Sequence, residues 1–447
     1  MLGCKELKLQ SDDQLHVVFD LSDVIAQVSS GSGMGGIVRV VGQMVRYASL
    51  KPANDGVTLV FFHYGRRDYV EIAPELFQGD IWADPALLKA ALGLVNVPVP
   101  FGGSRHHNRP LRRAYHVFRR RLKNRFKVMF ARPPVGSRPQ GWAISPWRMP
   151  TSGRVRIVVL GMAWMVPKQL DRHLEAVREG NVEIVTLIHD LIPIVAAEGE
   201  ATPNPAFCEW FARVSKQTSR FLAVSEFTAE AVRTVAPQFG GQVEWVRTVP
   251  LAHEFDWDET RDLSVVPPSE FVLTVGSLGH KRKNLEQLLE VWGLLGTKLG
   301  FERLPVLVIA GAHGRQASKL GEFVARYPRL ADKVALVERP GDAQLAALYE
   351  GCLFTVYPSR YEGWGLPVGE AAWFGKLSVA SNVTSIPEVV GDAADYFDPA
   401  SVEEMLAKLE RPIIDRDYLR RREQAVAQVK LRSWVDVADD LVAALKA

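Results

Sequence analysis

The stretch Tyr357–Pro399 reads YPSRYEGWGLPVGEAAWFGKLSVASNVTSIPEVVGDAADYFDP, and it begins on the last residue of an apolar run, Leu353–Tyr357. An apolar run of this length bounded by turn residues reads as a covered strand. Glu362 and Glu370 stand eight residues apart, with Gly363, Gly365, Leu366 and Pro367 between them. A glycine turn followed by a helix opening near Pro367 presents free backbone N–H groups, a ready site for a pyrophosphate. Glu370, one turn into that helix, is placed to accept two hydrogen bonds from a ribose diol. Glu362, before the turn, is placed to reach a sugar hydroxyl.

Working outward, the same rhythm of β-branched run, turn and amphipathic helix recurs along the chain. Strands are expected at His16–Leu21, Val57–Phe62, Val155–Leu160, Val182–Ile188 and Arg220–Val224. A second set is expected at Phe271–Val275, Pro305–Ala310, Lys333–Val337, Leu353–Tyr357 and Leu377–Ala380. Several are continuously apolar, as parallel strands covered on both faces should be. Helical patterns such as Asn284–Leu295 and Asp342–Tyr349 lie between them. The alternation predicts an α/β protein of two doubly wound, Rossmann-like domains. The polar, acidic stretch near residues 250–268, with Pro267 and Pro268, reads as the linker. The expected units are residues 1–255, 269–430, and a last helix within 431–447 with room to return to the first domain.

Three further segments carry chemistry. In VGSLGHKRKN (275–284), Arg282 and Lys283 follow a strand, where cations can meet a departing diphosphate. His189 and Asp190 end the strand IVTLI, at the sheet edge where doubly wound folds bind ligands. A histidine there is expected to donate to a sugar hydroxyl, and Asp190 to orient it, contact an acceptor or cap a helix. The run from Gly31 to Gly36 formally matches GxGxxG but trails its strand and lacks the ribose-binding acid of a dinucleotide fold. It reads instead as a loop, with Gly35 and Gly36 before a helix over Ile37–Ala48 and Arg39 facing the cleft.

These segments, with VIAGAHG (308–314), LIHDLIPI (187–194) and AVSEFTAEAV (223–232), resemble family 4 of the retaining glycosyltransferases, which have the GT-B fold. Residues 65–150 lie outside the resemblance. The resemblance implies a nucleotide sugar in the C-terminal half and an acceptor in the N-terminal half. It implies donor contacts from Glu370, Gly365, Leu366, Pro367, Ser277 and Gly311. Lys283 matches the family's phosphate-binding lysine, His189 its active-site histidine, and Gly35–Gly36 its phosphate-facing loop. Many members carry arginine where this chain has Ser277, and Arg282 is the candidate to replace that charge. The implied activity is transfer of a hexose with retention, without a metal or other cofactor, to a glycan or polyprenyl-diphosphate-linked acceptor. GDP-mannose is the favoured donor, because the RKN and HDLIP variants resemble bacterial polysaccharide mannosyltransferases. The alternative is a non-catalytic glycan- or lipid-binding protein that kept the fold. No signature of a pyridoxal-phosphate lysine is present.

The 447 residues are 47% apolar and 23% charged, the balance of a globular chain with real cores. No apolar run reaches 18 residues, and the N-terminal segment lacks a signal-like stretch. The three cysteines, Cys4, Cys208 and Cys352, are scattered, which favours a reducing compartment. Histidines such as His280 and His313 have no metal-ligand spacing. Trp142, Trp147, Trp164 and Trp292 read as packing residues. The net charge of +3 conceals a window between Asp84 and Asp171 with 17 Lys and Arg and no acid, leaving −14 on the remainder. Within it, residues 110–130 repeat apolar positions at helical spacing, among them Phe118 and Leu122, with Arg119, Arg120 and Arg121 on the other faces. That pattern predicts a helix lying in an anionic membrane interface. The expected location is therefore the inner face of the plasma membrane. No nucleic-acid-binding module surrounds the basic segment.

Overall fold

The computed structural model describes residues 14–30, 36–51, 57–78, 80–82, 84–101, 139–166, 168–195, 204–256, 260–313 and 319–447. The basic segment 110–130, with Phe118, Arg119, Arg120, Arg121 and Leu122, lies outside them, as does Gly35.

Among the described residues the chain forms two sheets. The first holds β1 (Leu15–Asp20), β2 (Thr58–His63), β3 (Asp68–Ile72), β4 (Ile144–Pro146), β5 (Arg154–Val159), β6 (Val182–Ile188), β7 (Arg220–Ala223) and β8 (Trp245–Thr248). Its order is β4-β3-β2-β1-β5-β6-β7-β8. The second holds β9 (Phe271–Val275), β10 (Val306–Gly311), β11 (Val334–Glu338), β12 (Thr355–Tyr357), β13 (Ser378–Ser381) and β14 (Asp395–Phe397), in the order β11-β10-β9-β12-β13-β14. Every pair in the second sheet is parallel. That order reverses direction between β9 and β12, the point where ligands bind in doubly wound sheets.

The first sheet departs from the expected parallel pattern at one edge. β3 pairs antiparallel with β2, and β4 antiparallel with β3. The reason is local: only Tyr64–Arg67 join β2 to β3, and so short a connection can only double back. The Tyr64–Arg67 turn, with Arg67 at φ 58°, makes the reversal. A second departure concerns the linker. Leu251, Ala252, His253 and Phe255 are buried rather than solvated. The crossing is pinned to the returning chain, for His253 and Glu254 donate their backbone N–H to Arg432 O, and Trp434 N donates to Glu254 Oε2 at 2.7 Å.

The last helix, Trp434–Lys446, packs on the helix Gly36–Ser49 of the first domain. Trp434, Val437, Leu441 and Leu445 join Val41, Met44 and Val45 in one core. Ser433 caps its start in a reciprocal capping box with Asp436. At its end, Arg156 donates to Leu445 O and Arg247 to Ala444 O, supplying donors to carbonyls that a helix end leaves free.

At the top of β1 lies a buried polar group. Asp20 accepts from Tyr69 Oη at 3.0 Å and lies 2.6 Å from His173 Nε2. Beside it Asp23 is fully buried where only the bare Cα of Gly161 leaves room, since a Cβ there would meet its carboxylate at 2.5 Å. Burial, then the Asp20 charge, pushes Asp23 up to about 7. A carboxyl so raised is neutral in the fold while ionised in the unfolded chain, so stability falls as pH rises from about 4 to about 7. Asp23→Asn removes that ionisation. The variant's melting temperature relative to wild type should rise between pH 5 and pH 8, by an amount reflecting roughly 2–3 kcal/mol. An offset independent of pH, read by calorimetry at the two pH values, would contradict this placement.

Candidate active site

The loop from Ser359 to Gly365 leaves β12 at the reversal point of the second sheet, and hydroxyls from the next strand and loop hold it. Ser381 Oγ donates to Ser359 O, Thr384 Oγ1 accepts from Glu362 N at 3.1 Å, and Ser385 Oγ donates to Glu362 O and Trp364 O. The SNVTS segment is thus a clamp of short polar side chains on one functional loop. Gly365, at φ 126°, turns the chain into the helix Leu366–Trp373, with Pro367 in its first turn. Leu366 and Pro367 are half-buried at the opening of that helix.

Glu362 is buried and receives three donors. Lys283 Nζ lies 2.6 Å and Arg282 Nη1 2.7 Å from its Oε1, and Ser359 Oγ donates to the same oxygen. Burial drives the carboxyl upward, but Lys283 and Arg282 outweigh it and bring it down to about 2. Burial likewise lowers Lys283, against the pull of Glu362. Lys283 Nζ also donates to Tyr357 Oη at 2.9 Å. The two cations stand in a short turn, Lys281–Lys283, that ends at Asn284 with φ 56° before the long helix Leu285–Leu299 begins. Asn tolerates that left-handed geometry, and its amide donates to Pro399 O.

Glu370 is 3% exposed. One of its oxygens pairs with Arg39, from the first domain, and the other accepts from Tyr349 Oη at 2.7 Å. Both carboxylates expected to meet hydroxyls therefore pair with cations here. Ser277 lies just past β9, and Gly311 ends β10 directly behind it. A Cβ on Gly311 would lie 2.3 Å from Gly276 O, so only glycine lets the two loops pass. Around Gly36 a Cβ would meet nothing within 4 Å, so packing does not demand glycine there.

His189 and Asp190 stand at the end of β6, facing this site from the first domain. His189 Nε2 lies 2.7 Å from Leu160 O, and burial lowers the ring to about 4. The neutral ring donates its Nε2–H to that carbonyl, leaving Nδ1 as an acceptor. The expected role as a donor to a hydroxyl is corrected accordingly: this ring accepts. Asp190 Oδ1 accepts from Ile192 N at 3.0 Å, a cap on the short turn that follows. Next to them is a cavity of about 170 Å³ lined by Trp164, Phe207, Trp210, Ile37, His189 and Asp190. Trp164, expected to be packing alone, packs edge-on against Phe207 at 4.8 Å and still lines this cavity. Trp292 is fully buried, and Trp147 packs on Tyr69.

The two domains meet through backbone contacts the sequence did not signal. Gly363 O accepts from Ser225 Oγ at 2.7 Å, and Glu388 accepts from the N–H groups of Glu226 and Phe227 at the start of a first-domain helix. Tyr349, Tyr357 and Glu388 are not marked as site residues by the sequence, and Trp164 reads there as packing alone. Tyr357 carried a signal, as the last residue of a strand feeding the loop; the others needed the fold.

The architecture is that of the GT-B glycosyltransferases: two Rossmann-like domains facing a cleft. Across 97% of this chain and 99% of the other, it superposes at a TM-score of 0.56 and 15% identity on Anabaena Alr3699/HepE, solved with UDP and glucose. Residues 256–429 match the family model for glycosyl transferases group 1. Among curated proteins, the serotype-specific mannosyltransferase WbdA of Escherichia coli is 28% identical over 280 residues, 60% of this chain and 34% of that one. The chain thus spans about a third of that relative's length. The O-antigen chain mannosyltransferase B of E. coli is 27% identical over 320 residues, 69% of this chain and 77% of its own.

Gly363 offers a test of the domain contact. An added Cβ would fall 1.8 Å from His189 O, a rigid backbone atom. Gly363→Ala should force the domains apart, raising the radius of gyration in small-angle scattering and lowering the melting temperature. An unchanged scattering profile would show that the contact does not hold the domains together in solution.

Proposed function

We propose that this protein is a retaining glycosyltransferase that moves a hexose from a nucleoside-diphosphate sugar to a glycan or lipid-linked glycan in bacterial surface-polysaccharide synthesis. The observation that carries the reading is the convergence of Glu362, Lys283, Arg282 and Glu370 on one cleft opposite His189. Paired carboxylates and cations at the reversal point of a doubly wound sheet suit a ligand with hydroxyls at both ends and a diphosphate between. The names of the mannosyltransferase relatives favour mannose, with GDP-mannose as donor.

In this reading Lys283 and Arg282 bind the diphosphate as negative charge grows on the leaving oxygen. Glu370 holds the ribose and Glu362 the sugar. His189 Nδ1 accepts from a hydroxyl of the transferred hexose and fixes its tilt. The acceptor hydroxyl attacks on the face the diphosphate leaves, and the departing phosphate oxygen takes its proton, so configuration is retained. Positioning and charge stabilisation are the enzyme's contribution. Cations of the protein meet the phosphate charge, so the reaction proceeds without a metal.

A panel of nucleotide sugars, incubated with the protein in excess EDTA and followed by proton NMR, tests the reading. One donor, GDP-mannose in the first instance, should be consumed with an α-anomeric product. Lys283→Ala and Glu370→Ala should each cost about 1.5–3 kcal/mol in nucleotide binding, the worth of a charged hydrogen bond. An inverted product, or activity restored only by Mn²⁺ or Mg²⁺, would refute the mechanism. Wild-type nucleotide affinity in both variants would refute the site.

The same reading places the enzyme peripherally on the inner face of the plasma membrane, through the basic stretch 110–130. Among the described residues no helix is long and apolar enough to cross a membrane. Binding to liposomes rich in anionic lipid, partly released by salt and abolished by changing Arg119, Arg120 and Arg121 to Glu, is the expected result. Co-sedimentation of that triple variant with anionic liposomes would overturn it.

A further inference from the structure

Glu370 cannot be reached from the cleft as it stands. Its side chain is 4% exposed, whereas that of Arg39, which covers it, is 28% exposed. Arg39 also lies over the Phe255 ring, 5.4 Å from its centroid, so its guanidinium is held from two sides. We propose that Arg39 is a placeholder for the ribose of the donor: it pairs with Glu370 until a donor binds, is displaced by the diol, and passes its charge to the donor's diphosphate. The inference rests on the donor reading above and adds to it a positioning residue from the opposite domain.

The physical case begins with the carboxylate. A buried carboxylate stripped of its partner is costly, so before a donor binds the protein itself must supply a cation. Tyr349 fixes one oxygen of Glu370 and stacks on Phe374, with ring centroids 5.4 Å apart, so the carboxylate stays aimed at the cleft when Arg39 leaves. A ribose diol brings two hydroxyl donors to replace those of the guanidinium. Arg39, for its part, cannot lose its proton and must find another acceptor. The anion that arrives with the ribose is the diphosphate, and Arg39 sits in the first turns of the helix that begins at Gly36. The exchange conserves charge: a carboxylate–guanidinium pair becomes a carboxylate–diol contact plus a guanidinium–phosphate contact. Because Arg39 and Glu370 belong to different domains, the handover also ties donor arrival to the domain interface.

This predicts effects of opposite sign, which a merely structural arginine would not produce. A nucleoside without phosphates must break the Arg39–Glu370 pair and regains nothing for it. A nucleoside diphosphate breaks the same pair and recovers the charge. Binding of guanosine, GDP, uridine and UDP should be measured by calorimetry on wild type, Arg39→Ala and Arg39→Lys, the nucleosides by competition. In Arg39→Ala the recognised nucleoside should bind roughly tenfold tighter and its diphosphate roughly tenfold weaker, each the size of one charge-assisted bond. Arg39→Lys should keep diphosphate affinity near wild type. If Arg39→Ala moves both ligands in the same direction, or neither, the placeholder is wrong while the donor site stands. If wild type binds neither GDP nor UDP, the donor reading fails and the placeholder with it.

Discussion

Two carboxylates are buried in the cleft between the domains of this protein, and the cost of leaving either unpaired organises much that surrounds them. Glu362 draws Lys283 and Arg282 onto one oxygen, and Glu370 draws Arg39 across from the other domain. Breaking such a buried pair by removing one partner typically costs about 3–5 kcal/mol. The loops that carry the partners are therefore held closely. Arg360 N and Ser359 Oγ both donate to Arg282 O, and Ser381, Thr384 and Ser385 brace the loop on the far side.

The domain interface adds a steric constraint. Gly363 passes so close to the His189 carbonyl that no side chain fits between them. Glu388 then places a carboxylate at the N-terminal end of the first-domain helix Glu226–Val235, where free N–H groups and the helix dipole favour negative charge. The helix Trp434–Lys446 crosses back to the first domain and is pinned there by Arg156 and Arg247. Three separate segments of the second half of the chain thus hold the first domain, and the site forms where they converge.

On the first-domain side the chemistry is quieter. His189 is neutral because burial opposes its charge, and its Nε2 proton belongs to Leu160 O. Its Nδ1 is left as an acceptor, next to a cavity lined by Trp164, Phe207 and Trp210. The cleft is thus uneven: aromatic side chains beside His189 and Asp190 line its first-domain side, and the Glu362–Lys283–Arg282 cluster lies on the second.

The sequence alone carried the alternation of strands and helices, because covered parallel strands read as apolar runs and their edges end in Gly, Pro and Ser. All ten expected strands are present, with ends within two residues of those expected. It also carried Glu362, Glu370, Arg282, Lys283 and His189, since each sits beside a strand end where a local motif marks it. What it did not carry is who pairs with whom. The antiparallel edge at β3 and β4 depends on a four-residue turn with no strong signal, and β8 and β14 are too short to stand out. The Arg39–Glu370 pair joins residues 331 positions apart, and the Tyr349 and Glu388 contacts likewise link separate elements. Side-chain partners across a cleft follow from how two domains sit together, and that packing is fixed by surface shape and charge spread over the whole chain rather than by any local run of residues.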